Sequence, residues 1–142
     1  EAGLALSPLY LAGYRLPGAR EIAARICAAR ATGVFCVSDY AALAVVGSLQ
    51  RAGRRVPEEV AVIGYGNLPF CKSARPALSS VDEHLGRIGG RAVDLLIQTL
   101  KAGPQDRAAP AEICPVTLVP RDSTRGRRTP AAATGGRPAA AG

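Results

Sequence analysis

Apolar and polar positions follow one another along this chain in blocks that predict strands separated by helices. Val34–Val37 and Val60–Ile63 are short apolar runs rich in β-branched and aromatic residues, a composition typical of strands buried on both faces. Between them, the apolar face of residues 41–52 predicts a helix that Gly53 ends and Pro57 cannot continue. A strand, a helix and a second strand in about 35 residues indicate a right-handed βαβ unit with parallel strands.

The same alternation extends to both sides of this unit. Further strands are predicted at Leu9–Ala12, Ala77–Val81 and Val116–Pro120, and further helices at Ala19–Arg30 and His84–Ala102. The sum predicts the α/β class: an open parallel sheet of four or five strands with helices on both faces. Beyond Thr124 the periodicity stops, so residues 1–124 are predicted to fold and residues 125–142 to form a disordered basic tail rich in Pro, Ala and Gly.

Two polar segments come directly after the strands of the central unit. Ser38 and Asp39 follow the first strand, and Tyr65, Gly66 and Asn67 follow the second. Ligands of open α/β sheets bind just past the carboxyl ends of the strands, so these segments predict a small-molecule site. The Asp39 carboxylate has a second interpretation, since it can accept the free N–H groups of the first helical turn.

The sequence offers binding groups but no catalytic set. It contains no G-x-S-x-G elbow, no P-loop and no H-E-x-x-H motif, and the glycines around Tyr65 lack the third member of a dinucleotide fingerprint. The single histidine, His84, has no nucleophile elbow to serve, and no C-x-x-C pair suggests a metal site. Asp82 and Glu83 could serve as an acid–base pair, although a helix N-terminus favours carboxylates in any case. We therefore expect no enzyme activity, no metal and no cofactor.

The charge and the cysteine content indicate possible partners and the cellular compartment of the protein. Of the formal net charge of +7 on 142 residues, residues 1–120 carry 13 basic and 10 acidic side chains, and residues 121–142 carry 5 and 1. The basic tail could hold nucleic acid weakly or simply be solvated.

The sequence contains no run of about 18 apolar residues, so it predicts no membrane span. The spacing of the four cysteines does not require disulfides, which favours a reducing cytoplasm, with Cys27 and Cys36 as small core residues. Because the chain opens on Glu1, we expect a fragment or a processed product.

Several motifs occur in a characteristic order and spacing. They are Ser-Asp before an Ala-rich helix, A-G-R-R-V-P-E-E-V, a strand ending in G-Y-G, P-A-L-S-S-V before G-R-I-G-G-R-A-V-D-L-L, and L-V-P-R-D-S-T. Together they resemble the carboxyl-terminal half of LacI/GalR-family transcription regulators over residues 2–124. The resemblance implies the carboxyl-terminal subdomain of a periplasmic-binding-protein-like type I fold.

The resemblance also implies a function. In that family a small molecule, often a sugar, binds between two α/β subdomains, the regulator dimerises, and an amino-terminal helix-turn-helix head reads an operator. We therefore expect a cytoplasmic homodimer that senses a sugar or sugar acid and meets operator DNA only through a head absent from this chain. The alternative is an exported sugar-binding protein of a transport system.

The resemblance also implies site residues, position by position. Ser38 and Asp39 match the pair that reaches ligand hydroxyls. Tyr14 falls near the aromatic residue that stacks on the ligand, with core packing as its other interpretation. Glu83 falls where a polar side chain approaches the cleft, with an exposed carboxylate at a helix start as the alternative.

The main departure from the family pattern lies after the second strand. Gly66 stands where many members have an aspartate that clamps sugar hydroxyls, and Asn67 could supply an uncharged replacement contact. Loss of a carboxylate removes repulsion of an anion, so a sugar acid is the hypothesis that this position favours.

Overall fold

The computed structural model describes residues 19–102 and 111–126 of the chain. The helices and strands are α1 (Ala19–Ala28), β1 (Gly33–Phe35), α2 (Asp39–Arg51), β2 (Ala61–Tyr65), β3 (Ser79–Asp82), α3 (Leu85–Ala102) and β4 (Thr117–Val119), with a 3₁₀ turn at Pro69–Lys72. Each lies close to its predicted position. The predicted strand at Leu9–Ala12 lies outside the described residues.

The strands form one open sheet in the order β1-β2-β3-β4. The first three strands are parallel, with Phe35 opposite Ile63 and Ile63 opposite Ser79. This pairing confirms the predicted βαβ unit and the α/β class. Because the three strands run in the same direction, their carboxyl ends lie at one edge of the sheet.

The last strand departs from the prediction of an entirely parallel sheet. β4 pairs antiparallel with β3, with Asp82 opposite Thr117 and Ser80 opposite Val119. β3 ends and β4 begins at the same edge of the sheet, so the chain that includes α3 leaves and re-enters there. A crossover helix would have carried the chain back to the opposite edge. The spacing between β3 and β4 suits a crossover, which is why the sequence pattern pointed to a parallel strand.

The core lies between the sheet and the first two helices. Buried side chains from α1 and α2 pack together over β2, whose Val62 is fully buried. The central members of this core are Ile22, Ile26, Ala42, Val45, Leu49 and Leu78. On β2, Ala61, Ile63 and Tyr65 point to the opposite face of the sheet and are only half-buried, and most of α3 is exposed. Among the described residues, the core therefore lies on one face of the sheet.

The closing R-D-S-T run joins the two central strands. Ser123 is fully buried; its hydroxyl donates to the Val62 carbonyl at 2.7 Å and accepts the Ser79 N–H at 2.8 Å. The Val62 N–H donates to the Ser123 carbonyl at 3.0 Å. Arg125 and Gly126 continue this segment as a hydrogen-bonded turn rather than as part of the predicted disordered tail, whose remaining residues lie outside the described range.

Candidate ligand-binding site

The ends of β1, β2 and β3, with the residues that follow them, form what we call the carboxyl edge. The ladder continues past the strands, since the Cys36 N–H donates to the Ile63 carbonyl at 2.9 Å and the Gly66 N–H donates to the Val81 carbonyl at 2.8 Å. Ser38 and Gly66 therefore lie at the same edge, as the parallel arrangement predicts.

Ser38 is the N-cap of α2. Its backbone is extended, with φ −154° and ψ 157°, and its hydroxyl accepts the Ala41 N–H at 3.2 Å. The second interpretation of Asp39, as the residue that caps this helix, is therefore wrong. A serine hydroxyl is short enough to reach the third N–H of the helix, which leaves the next carboxylate free to point elsewhere.

Asp39 is fully buried and holds the loop after β2 in place. One carboxylate oxygen accepts the Ser80 hydroxyl at 2.6 Å, and the other accepts the Leu68 N–H at 2.7 Å. A carboxylate removed from water needs such donors, because its desolvation is otherwise strongly unfavourable. Asp39 thus ties α2, the loop after β2 and β3 together from beneath the carboxyl edge.

The two glycines of the G-Y-G run fit around this carboxylate. A Cβ on Gly64 would collide with the Asp39 carboxylate and lie 3.1 Å from the Asp39 Cα. Gly66 has φ +120°, which side chains other than hydrogen rarely adopt, and a Cβ there would lie 3.4 Å from an Asp39 oxygen. Gly66 therefore offers backbone atoms to the edge, and its identity follows from the turn and from Asp39.

Asn67 stands at the edge with its amide oriented by two neighbours. Its Oδ1 accepts an Arg121 N–H at 2.6 Å, and its Nδ2 donates to Asp82 Oδ2 at 2.9 Å. Its backbone N–H donates to the Ser80 hydroxyl at 3.0 Å. The amide retains a second N–H and a second lone pair, so it can still contact a ligand.

Asp82 has a lowered pKa, chiefly because its carboxylate accepts the His84 backbone N–H and also the Asn67 amide. Because its pKa is lowered, this carboxylate is charged at neutral pH. Its side chain is 26% exposed and lies on the rim of the carboxyl edge.

Tyr65 and Glu83 form a second pair at the carboxyl edge. A hydrogen bond from the Tyr65 hydroxyl to the Glu83 carboxylate raises the Tyr65 pKa, because the neutral phenol is the donor. Both residues are half-buried and lie at the ends of neighbouring parallel strands. Glu83 precedes α3, which begins at Leu85, so it lies beside the cluster rather than inside the first helical turn.

The structure brings together five of the six predicted site residues and adds others. Ser38, Asp39, Gly66, Asn67 and Glu83 all lie at the carboxyl edge, whereas Tyr14 lies outside the described residues. Tyr65, from the segment predicted after β2, also lies there, and the additional members are Ser80, Asp82 and Arg121. Asp82 could have been found from its place at a strand end. Arg121 belongs to the L-V-P-R-D-S-T motif, which carries the family resemblance but gives no local signal for a contact with Asn67.

Other chemistry is scarce in the part of the chain that the structure describes. No helix there combines the length and hydropathy that a membrane crossing needs, and no three metal-ligating side chains come together. Burial raises the pKa of the Cys36 and Cys71 thiols to about 12, so neither is a thiolate nucleophile at neutral pH. A cavity of about 210 Å³ lies beyond the amino ends of β1 and β2, away from the carboxyl edge, with Cys27, Arg54 and Glu59 in its wall.

Comparison with known proteins assigns the fold. The family described as periplasmic binding protein-like domain matches residues 1–124. The chain belongs to this family. Its matching relatives and solved structures include regulators of the LacI type, which confirms the resemblance seen in the motifs.

Among curated relatives, the HTH-type transcriptional repressor PurR of Pasteurella multocida is 35% identical over 96 residues, covering 68% of this chain and 28% of that protein. PurR of Aliivibrio fischeri strain MJ11 is 36% identical over 78 residues, or 55% of this chain and 23% of that protein. This periplasmic binding protein-like domain thus spans about a quarter of the length of these relatives.

Solved structures of LacI family regulators support the same family assignment. A LacI family transcriptional regulator from Arthrobacter sp. FB24, in complex with lactose, has a TM-score of 0.64 and 34% identity, covering 75% of this chain and 40% of that one. A LacI family regulator from Enterococcus faecium with bound ribose has a TM-score of 0.65 and 28% identity, covering 75% and 39%.

Proposed function

We propose that this periplasmic binding protein-like domain is the ligand-sensing part of a LacI-type transcription regulator whose effector is a small, hydroxyl-rich molecule. The observation that carries the proposal is the carboxyl edge, where three parallel strands end in a cluster of hydrogen-bonding side chains. Support also comes from neighbours of the same fold that hold lactose or ribose. In the sensing role, Ser38, Asn67, Glu83 and Tyr65 meet the effector, and Asp39 and Gly66 shape the floor beneath it.

The charge of the carboxyl edge favours a neutral effector over a sugar acid. Asp39, Asp82 and Glu83 contribute three carboxylates to this edge, against one guanidinium from Arg121. A ligand carboxylate brought here would meet net repulsion in a partly desolvated site. The missing side chain at Gly66 therefore does not make the edge less acidic, because Asp39 already places a carboxylate beside that position.

The partners of the whole protein follow from the same proposal. The named relatives are repressors, which favours a regulator that works in the cytoplasm, without catalysis, as a homodimer whose helix-turn-helix heads hold operator DNA. The rival is an exported solute-binding protein with the same fold. The encoded residues before Glu1 separate the two, since a helix-turn-helix supports the regulator and a signal peptide supports the exported protein.

The effector is tested by ligand-induced thermal stabilisation of the full-length gene product. The panel contains lactose, ribose, cellobiose, gluconate and, because curated relatives are named PurR, a purine base. We expect a neutral sugar to raise the melting temperature in proportion to the logarithm of its concentration, and gluconate to leave it unchanged. Stabilisation by gluconate alone would restore the sugar-acid hypothesis, and stabilisation by the purine alone would reject a sugar effector.

Matched variants test whether the effector binds at the carboxyl edge. At half-buried positions, Tyr65→Phe removes a hydroxyl and Glu83→Gln replaces one carboxylate oxygen with an amide, and we expect each to weaken effector binding by about tenfold. Glu58→Gln, an exposed change before β2, is the control and should leave the affinity unchanged. Equal affinity for all four proteins by calorimetry would place the effector elsewhere.

A further inference from the structure

His84 occupies the point where the chain enters α3. Its backbone is left-handed, with φ +56°, and its carbonyl accepts the N–H groups of Arg87 at 2.8 Å and Ile88 at 3.1 Å in the first helical turn. Its Nε2 lies 2.9 Å from the Thr117 hydroxyl, at the first residue of β4, where the chain returns from α3. One side chain thus joins the connection into α3 to the connection out of it.

The same histidine is connected to the carboxyl edge through Asp82. The Asp82 Oδ1 accepts the His84 N–H at 2.8 Å and lies 3.6 Å from the His84 Nδ1. The other oxygen, Oδ2, accepts the Asn67 amide at 2.9 Å. Since a carboxylate can only accept, the neutral imidazole is best satisfied with its proton on Nδ1, facing Asp82. The Nε2 atom then accepts a hydrogen bond from the Thr117 hydroxyl.

α3 has few other ties to the sheet among the described residues. Its apolar side chains are widely exposed, and the further polar contact to the returning chain is the ion pair of Arg91 with Glu112 at 2.6 Å. The orientation of α3 relative to the sheet therefore depends on the two connections that join α3 to β3 and to β4. His84 forms contacts at both connections.

We infer that Asp82 and His84 are positioning residues that transmit the orientation of Asn67 to the first turn of α3 and to the start of β4. The inference rests on the proposed function in one respect: an effector that re-orients the Asn67 amide would thereby shift α3. The contacts run from Asn67 to Asp82, from Asp82 to His84, and from His84 to Thr117 and the amides of Arg87 and Ile88.

Because His84 is the only histidine in the sequence, its ring gives one set of nitrogen resonances in the intact chain. Long-range ¹H–¹⁵N correlation at a pH where the ring is neutral should show the Nδ1–H tautomer. Thr117→Val removes the hydroxyl at an exposed position and should move the ring toward the Nε2–H tautomer that free histidine prefers, whereas Thr117→Ser should retain the wild-type tautomer. A wild-type ring already in the Nε2–H form, or one unchanged by Thr117→Val, overturns the inference.

Transmission from Asn67 is tested by Asn67→Gly, which removes the amide while suiting the left-handed backbone at φ +50°. We expect the His84 resonances to shift and amide exchange at Arg87 and Ile88 to rise about two- to tenfold. Gln98→Ala, an exposed change on α3 itself, is the control and should alter neither readout. Unchanged exchange and unchanged His84 resonances in Asn67→Gly would contradict the inference, with a dispersed amide spectrum confirming that the variant folds.

These measurements need no effector. If the protein shows the expected tautomer and exchange but binds no sugar, the positioning role of Asp82 and His84 stands and the proposed effector class is rejected. If it binds a sugar but lacks the tautomer, the effector class stands and the positioning role is rejected.

Discussion

Two loops of this domain are each organised by one carboxylate, at opposite edges of the same sheet. At the carboxyl edge, Asp39 accepts one backbone N–H and one hydroxyl while fully buried. At the opposite edge, in the loop between α2 and β2, Glu59 accepts the backbone N–H of Arg55 at 2.9 Å and a guanidinium N–H of Arg54 at 2.8 Å, and its side chain is 29% exposed. The bonding pattern is similar, and the surroundings differ.

Burial, more than the number of partners, decides how much each carboxylate contributes to stability. Water can replace a lost partner of Glu59 at little cost, and salt screens its attraction to Arg54. Asp39 and its donor Ser80 are fully buried, so removing the carboxylate would leave a buried hydroxyl without its acceptor. The loop that carries the candidate site is therefore the one held rigidly.

The largest expected effect is that of Gly64→Ala. The added methyl would collide with the buried Asp39 carboxylate, whose own backbone is close, so neither partner can withdraw. We expect a loss of about 3 kcal/mol in the free energy of unfolding, measured by urea titration.

Gly47→Ala is the matched control for this substitution. Gly47 lies inside α2, and the three atoms nearest to the new methyl all belong to the end of the flexible Arg51 side chain. It should stabilise the protein by about 0.5–1 kcal/mol through helix propensity. Similar changes in both variants would show that the close approach at Gly64 is not a constraint.

Asp39→Ala should have the next largest effect. It leaves the Leu68 N–H and the Ser80 hydroxyl without their acceptor in a buried site, which costs about 2–3 kcal/mol of unfolding free energy. Asp39→Asn keeps the shape and one acceptor oxygen, and the Ser80 hydroxyl can turn to accept from the new amide, so this variant should lose about 1 kcal/mol.

Equal losses in Asp39→Ala and Asp39→Asn would contradict the hydrogen-bonding role and leave only volume as an explanation. Asp94→Ala, an exposed aspartate on α3, provides the baseline for removing a charge and should change the unfolding free energy very little.

Local patterns explain which parts of this fold were predictable. The spacing of apolar residues identified the seven helices and strands of the described chain, because a helix or strand that buries one face must repeat with its own period. The parallel βαβ unit and the shared edge of Ser38 and Gly66 followed from the same reasoning. The direction of β4 did not, because it depends on where α3 lies, and the exposed α3 shows an amphipathic pattern without packing on the described sheet.

At the candidate site, residue types were predictable and their partners were not. A carboxylate beside a helix start suits both a cap and a buried anchor, and only the position of Ser38 one residue earlier separates them. The bond from Arg121 to Asn67 joins residues 54 positions apart, a distance over which no local rule operates. Gly66 looked like a substitution that alters the ligand, whereas its φ and the nearby Asp39 give it a conformational reason.

The smallest expected effect on stability is that of Glu59→Gln, and this effect depends on pH. Hydrogen bonds from the Arg55 backbone, then from Arg54 and from the Arg55 side chain, lower the Glu59 pKa from 4.5 to about 2. A carboxylate with a lowered folded pKa stabilises the fold fully above its unfolded pKa, and that stabilisation is lost as the pH falls from about 4.5 toward 2.

The difference in urea midpoint between wild type and Glu59→Gln should therefore be small at pH 7, shrink between pH 4.5 and 2, and diminish in 1 M salt. Glu58→Gln, one residue earlier and exposed, should follow the wild-type curve throughout. If Glu59→Gln instead lowered stability as much as Asp39→Ala, the exposed loop would be as firmly anchored as the buried one. Burial would then not be what distinguishes the two edges of the sheet.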